Sequence, residues 1–333
     1  MRVLVTGAAG FLGSAVRPAL AAAGHEVVAA DLLDGTSTEP PEGISRVDLR
    51  DAAALEPLLR GVDVVCHLAA ITDATGPAGF AAHNDLGTAV LLGAMERARV
   101  RHLVLASSIV VYGEGRYRDR GGATYFPGLR RRADLDRGLY DHRAPRTGEI
   151  LTWEPVTEDA PQRPRGWYGS SKAAQENYSF AWGLATGGGV TALRFHAIYG
   201  PGARGGWAAR YRDELDAGRP PRVPEDGGQV RDFVHRRDAV KALVAAVDRR
   251  LPGFVPLNIG SGQPITLWEV ASIMAKARGG PTPVVTGRYQ LADVRHIVAS
   301  VEKAKRALGF APSAGTVEIF TEYGAASRAS DSE

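Results

Sequence analysis

The sequence predicts an α/β fold, a doubly wound parallel sheet with a smaller C-terminal lobe. Three observations predict it. Strand-like runs alternate with helical patterns through the first half of the chain. Those runs are apolar on both faces, as buried parallel strands are. The first of them leads directly into a glycine triplet that opens a helix, Val3-Leu4-Val5-Thr6-Gly7-Ala8-Ala9-Gly10-Phe11-Leu12-Gly13. Strand–helix alternation with right-handed crossovers gives an open sheet covered on both sides.

The elements follow in order. Arg2–Thr6 is the first strand, and Ser14–Ala23 is the first helix. Between them, Gly7 is expected to make a tight turn. Gly10 lets the backbone approach a diphosphate, and Gly13 lets the helix pack on the strand. The helix N-terminus adds a favourable partial positive charge. A glycine triplet alone is often an ordinary turn; its place after the first strand, with an acid following, points to phosphate binding. Glu26–Asp31 is the second strand, and Asp31 ends it 18 residues after Gly13. A carboxylate there accepts hydrogen bonds from an adenosine ribose and repels a 2′-phosphate, which favours NAD over NADP. Arg46–Leu49 reads as the third strand, with Asp48-Leu49 placed to meet an adenine amino group. Ala52–Leu59 is helical. Val62–Ala69 is the fourth strand, and its end, His67-Leu68-Ala69-Ala70, is small enough to leave room for a cofactor. The helix Ala82–Ala98 and the strand His102–Ser107 complete this half.

Residues 113 to about 164 break the pattern, being rich in Arg, Gly, Pro and Asp and including Arg130-Arg131-Arg132. Such a stretch reads either as a solvated excursion or as a cover over a substrate site. Regularity returns with a helix from Ser170 to about Leu184, a strand Val190–Phe195, a helix Gly205–Ala217, a strand Arg231–Val234 and a helix Arg237–Arg249. Thr266-Leu267-Trp268-Glu269 is a capping box that opens a helix to about Arg278. Val301–Leu308 is a last short helix. This divides the chain into a nucleotide domain over 1–198, with 231–254 returning to it, and a second lobe over 199–230 and 255–324. Residues 325–333 are expected to be a flexible tail.

Composition narrows the function. The net charge of +3 over 333 residues gives no case for nucleic acid. No apolar run is long enough to span a membrane, and no signal peptide is visible after Met1-Arg2, so a cytoplasmic protein is expected. The single cysteine, Cys66, lies in an apolar strand and reads as a small buried hydrophobe. Lysine is scarce, and the first in the chain is Lys172. It stands in Tyr168-Gly169-Ser170-Ser171-Lys172, where positions i and i+4 share a helical face. An ammonium beside a phenol stabilises phenolate and draws its pKa from about 10 toward a working pH, as a general base requires. Ser107-Ser108 would sit at the carboxyl edge of the sheet, where ligands bind in open α/β folds.

With these residues in view, the chain resembles the extended short-chain dehydrogenase/reductases, in the NAD-dependent epimerase/dehydratase group that acts on nucleotide sugars. The resemblance runs from Val3 to about Ala311. It rests on Thr6–Gly13, Asp31, Asp48-Leu49, His67–Ala70, Asn84–Thr88, Ser107–Gly113, Tyr168–Lys172, Leu193–Gly202, Arg231–His235 and Asn258–Gly262. It implies a Rossmann-type domain with a C-terminal substrate-binding lobe, NAD as cofactor, and a homodimer formed through the helices that follow Tyr168 and precede His102. It implies cofactor contacts at Gly7, Gly10, Phe11, Leu12, Gly13, Asp31, Asp48, Leu49, Leu68, Ala69, Ala70, Asn84, Ser107, Tyr168 and Lys172. Ser108, Tyr168 and Lys172 would be catalytic, with Ser108 bonding the reacting hydroxyl and Lys172 also holding the nicotinamide ribose. Substrate contacts are implied at Ser108, His196, Ala197, Arg231, Arg288 and Gln290, with Arg231 on the substrate diphosphate.

The subtype follows from particular residues. Dehydratases of this group carry Asp-Glu after the position of Ser108, and here Ile109-Val110 follow. The chain is in this respect similar to 4-epimerases, as it is at Leu193–His196 and Tyr289–His296, where it resembles dTDP-L-rhamnose 4-epimerase-like proteins. Two positions depart from the group. The usual Asn falls on Ala197, and the late diphosphate-binding Arg falls on Gln290, with Arg288 nearby as a substitute. The long segment lacks the cysteine pairs of some relatives, so no structural zinc is expected. The reading is an NAD-dependent 4-epimerase of a UDP- or dTDP-linked hexose or deoxyhexose. Its rivals are an NAD(P)-dependent 4-ketoreductase or dehydrogenase on a sugar or other small molecule, and a non-catalytic NAD-binding protein.

Overall fold

The structure, a computed structural model, describes residues 1–33, 41–73, 76–203 and 205–326. The expected tail lies outside the described residues from 327 onward. Seven strands form one all-parallel sheet, in the spatial order Phe254–Ile259, Gly189–Phe195, His102–Ser108, Val64–His67, Arg2–Thr6, Glu26–Asp31, Ile44–Arg46. The order reverses between Val64–His67 and Arg2–Thr6, and ligands of open sheets bind at such a switch point.

Each face of the sheet buries its own apolar layer. Val16 and Leu20 of the first helix pack on one face with Leu243 and Val247 of the helix Arg236–Arg249. Leu91 and Met95 of the helix Gly87–Arg97 and Trp182 of the helix Trp167–Thr186 pack on the other. Cys66 is fully buried in the first layer, and burial pushes its thiol up to about 12. A separate core joins the helices Gly206–Asp216, Leu267–Arg278 and Thr316–Ala325, with Phe233 and Phe320 edge to face at 4.6 Å. The helix at Leu267 carries the expected capping box from Thr266 and Glu269.

Four local expectations are corrected. The third strand is Ile44–Arg46, so Asp48-Leu49 stand in the turn beyond its end. The helix at Ala52 stops at Leu55. Arg231–Val234 is interrupted: Val230–Arg231 pairs with Ile265–Thr266 and His296–Ile297, whereas Phe233–His235 pairs with Ala197–Tyr199. Phe254–Ile259 is the edge strand of the large sheet, although most of it falls in the stretch assigned by sequence to the second lobe.

The long excursion is ordered and pinned. Arg116–Arg118, Thr124–Tyr125 and Thr152–Glu154 make a small antiparallel sheet. Arg130 is not solvated: it is buried and paired with buried Glu225 at 2.6 Å. Arg295 extends this cluster to Glu225, Asp226 and Asp141 at 2.7–3.0 Å. Removal of two charges from water is costly, and mutual pairing of several groups is what offsets it.

Candidate active site

A cleft of about 810 Å³ lies along the carboxyl ends of the parallel strands. The glycine turn forms one end. Gly7 has φ +70°, and a Cβ there would lie 2.6 Å from the amide nitrogen of Ala69, so the turn is packed directly on the end of the fourth strand. A Cβ on Gly13 would lie 2.1 Å from the Gly7 carbonyl oxygen. Gly10 is looser, its nearest contact being 3.3 Å. Thus Gly7 and Gly13 shape the turn from within, and Gly10 faces the cleft with Phe11 and Leu12.

Asp31 secures the same end. Its carboxylate accepts from the Ala9 amide at 2.9 Å and the Leu33 amide at 3.0 Å, tying the glycine turn to the second strand. Asp48 and Leu49 also line the cleft. Asp48 is gripped by the Arg50 guanidinium, whose hydrogen bonds hold its carboxyl below the ordinary value. Leu68, Ala69 and Ala70 form the floor.

At the middle of the cleft, Ser107, Ser108, Tyr168 and Lys172 come together. Ser108 ends the strand His102–Ser108 and caps the short 3₁₀ turn Ile109–Tyr112. The helix that carries Tyr168 and Lys172 starts one turn earlier than the sequence pattern suggests, at Trp167, so both residues lie in regular helix. The expected lowering of the Tyr168 phenol by Lys172 is not found: burial pushes the phenol up to about 12, and the influence opposing it is a hydrogen bond with Ser108. Burial likewise draws the Lys172 ammonium down to about 8, opposed by the charge of Glu176. Ser107 donates to buried Glu176, which also receives Arg194 at 2.7 Å. Ile109 and Val110 line the cleft beside Ser108.

Beneath this group runs a buried polar chain. Thr6 and the His67 ring are 2.7 Å apart, His67 and Thr88 are 2.9 Å apart, and Gln175 donates to Thr88 at 2.6 Å. Burial, with Lys172 nearby, draws His67 down to about 3, so the ring is neutral.

The opposite wall combines His196, Ala197, Arg231 and Phe233, from stretches assigned by sequence to the nucleotide domain, with Trp207 and Ile297 from the second lobe. Arg231 lines it, its guanidinium bonded to the carbonyls of Val230, Val294 and Arg295. His196 and Ala197 line it too, and His196 accepts from the Ala299 amide at 3.1 Å. Trp207, Phe233 and Ile297 also line the wall, and of these only Phe233 lies in a motif legible in the sequence, Arg231–His235. Ile297 arrives there through a two-residue strand paired with Val230–Arg231, a contact that no periodicity announces.

Three expected site residues do not line the cleft. Asn84 is buried behind its wall, where it donates to Ser171 at 2.9 Å and brackets Ile71 through both its amide and its carbonyl. It lies in a π-helical turn, Ala81–Leu86, that widens the helix at that point. Arg288 and Gln290 are exposed outside the cleft. This leaves Arg231 and Lys172 as the cations on the cleft among the described residues.

The turn, the carboxylate on its rim and the small floor fit an adenine dinucleotide, with an acid/base group at its far end. Residues 3–127 and 144–260 match the NAD dependent epimerase/dehydratase family. The chain is 32% identical over 334 residues to dTDP-L-rhamnose 4-epimerase of Burkholderia thailandensis, covering 93% of this chain and 90% of that protein. It is 29% identical to UDP-glucose 4-epimerase of Streptomyces lividans, covering 96% and 94%. Among solved structures, MoeE5 in complex with UDP-glucuronic acid and NAD superposes with a TM-score of 0.77 at 31% identity, covering 97% and 98%. UDP-glucose 4-epimerase of Thermus thermophilus in complex with NAD gives 0.75 at 29% identity, covering 98% and 100%.

Proposed function

The chain belongs to the NAD-dependent epimerase/dehydratase family, and from that premise we propose that it is a 4-epimerase of a UDP- or dTDP-linked hexose or deoxyhexose. The observation that carries the reading is one cleft with Ser108, Tyr168 and Lys172 on one wall and Arg231 on the other. NAD, held by the glycine turn, Asp31 and the floor at Leu68–Ala70, supplies the acceptor and donor for hydrogen at C4. Arg231 holds the substrate diphosphate. Tyr168 takes the proton of the C4 hydroxyl, with Ser108 bridging, and later returns it. The hydrogen bond with Ser108 lowers the cost of the phenolate, and Lys172 holds the nicotinamide ribose. Hydrogen removed from one face of C4 and returned to the other inverts that centre. Ile109 and Val110 provide no carboxylate to expel water, which supports epimerisation over dehydration.

The test is incubation of the purified protein with UDP- and dTDP-hexoses and no added cofactor. Interconversion of a pair of 4-epimers is the expected result. Failure with every pair overturns the reading, and a stoichiometric absorbance change at 340 nm would favour a net reductase or dehydrogenase in its place. The reading includes a homodimer, since Leu86, Tyr178 and Leu184 are exposed on the helical segments concerned. A monomeric mass in solution would remove that part.

A further inference from the structure

Glu114 is a fully enclosed carboxylate that the proposed reaction does not use. It follows directly on the segment that begins at Ser108, yet it faces away from the cleft, into the junction with the second lobe. Its Oε1 accepts from the Tyr117 hydroxyl at 2.8 Å and the His296 amide at 2.8 Å. Its Oε2 accepts from the Arg295 amide and from Arg165, each at 3.0 Å, and lies 3.0 Å from His142 Nε2.

Two of these bonds have a second end. The peptide unit that donates its Arg295 N–H to Glu114 presents its Val294 carbonyl to Arg231. The next peptide unit donates its His296 N–H to Glu114 and presents its Arg295 carbonyl to Arg231 at 3.0 Å. Two consecutive peptide groups therefore stand between one carboxylate and one guanidinium, oriented so that both charges polarise them in the same sense. Hydrogen bonds in such chains strengthen one another, more so in a buried setting. Among the described residues no carboxylate pairs with Arg231 directly. A guanidinium has five N–H donors, and a direct carboxylate partner would occupy the fork that an anionic ligand needs.

We propose that Glu114 is a positioning residue: it supplies the countercharge of Arg231 through the Val294–Arg295 and Arg295–His296 peptides, keeping Arg231 charged and its open edge free for the substrate diphosphate. This rests on Arg231 being the diphosphate ligand. It accounts for how a half-buried arginine on the cleft wall is held without a salt bridge. It also links the chain segment bearing Ser108 to the anion site, so the acid/base wall and the diphosphate wall share one rigid element. Gly115 continues that link, since its amide donates to the His296 carbonyl at 2.9 Å and a Cβ there would lie 2.6 Å from the same oxygen.

The experiment is a double-mutant cycle on the holoenzyme, with UDP and dTDP as probes in isothermal titration and bound NAD measured on each variant. Glu114→Gln is expected to weaken nucleotide binding about tenfold, a coupling of about 1.4 kcal/mol, while bound NAD stays at the wild-type level. In an Arg231→Met background the same change is expected to have no further effect on binding. For the turnover substrate, KM rises by more than kcat falls. Unchanged nucleotide affinity in Glu114→Gln, or losses that simply add in the double variant, overturns the proposal. Unchanged affinity in Arg231→Met instead overturns the assignment of Arg231 and the proposal with it. Should Glu114→Gln not fold, Glu114→Asp retains the charge but withdraws it from both amides, and a weakening of at least about threefold is expected. Failure of both to fold assigns Glu114 to stability alone and also overturns the proposal.

Discussion

The Lys172 ammonium lies 5.8 Å from the centre of the Tyr168 ring and donates at 2.8 Å to the Ala106 carbonyl. The carbonyl fixes the position of the ammonium beside the Tyr168 ring. In this arrangement Tyr168→Phe is expected to lower kcat by about 10²- to 10⁴-fold, the range for loss of a positioned acid/base group. UDP affinity and bound NAD should remain near wild type, because the ring keeps its place. Parallel measurement of turnover and UDP titration checks this.

Burial of Lys172 has a cost that pH should reveal. Its folded-state value is about 8 against an ordinary value of 10.5, so between those limits the unfolded chain holds more protons and stability rises with pH. Below pH 8 the cost is present in full. Lys172→Met is therefore expected to be more stable than wild type at pH 7, by up to about 3 kcal/mol, and inactive. The advantage should shrink as pH approaches 10.5. Urea unfolding of both proteins across that interval gives the comparison, and a variant less stable than wild type at pH 7 would contradict it.

His67 acts in the same sense in a lower pH window. Its folded-state value is about 3 against 6.5, so stability is fully present above pH 6.5 and falls as pH drops toward 3. His67→Gln should weaken that acid dependence. Thr88→Val leaves ring and amide partners unmatched and is expected to cost about 1–3 kcal/mol at pH 7. Thermal unfolding from pH 4 to 8 distinguishes the two variants.

The three glycines of the first turn should differ when replaced by alanine. Gly13→Ala meets the Gly7 carbonyl at 2.1 Å, and Gly7→Ala meets Ala69 at 2.6 Å with φ +70°, so both are expected to lose fold and NAD together. Gly10→Ala has 3.3 Å of clearance and should fold, losing NAD only through crowding of the diphosphate. Circular dichroism with bound-NAD content separates the two outcomes.

Arg130→Met should test whether the excursion is part of the fold. It leaves Glu225 buried beside Arg295 alone, and breaking one side of a buried pair costs about 3–5 kcal/mol. Protease cleavage within 114–164 should appear before global unfolding. A variant of wild-type stability would contradict the clamp.

The sequence by itself determined what short-range physics encodes. The glycine spacing, the acid at the end of the second strand, the i,i+4 pair Tyr168/Lys172 and the capping box at Thr266 each depend on neighbours within about one turn or strand, and each stands where the pattern put it. Tertiary structure decided the rest. Asn84, Arg288 and Gln290 sit in or beside legible motifs, yet packing turned one inward behind the wall and left two outside the cleft. Arg130 looks like one of three surface arginines, and its pairing with Glu225, 95 residues away, makes it interior. Glu114 meets the Arg295 amide across 181 residues. No local periodicity carries such a pairing, because the cost of closing a loop grows only slowly with its length and distant partners are chosen by topology and by the need to satisfy buried charge.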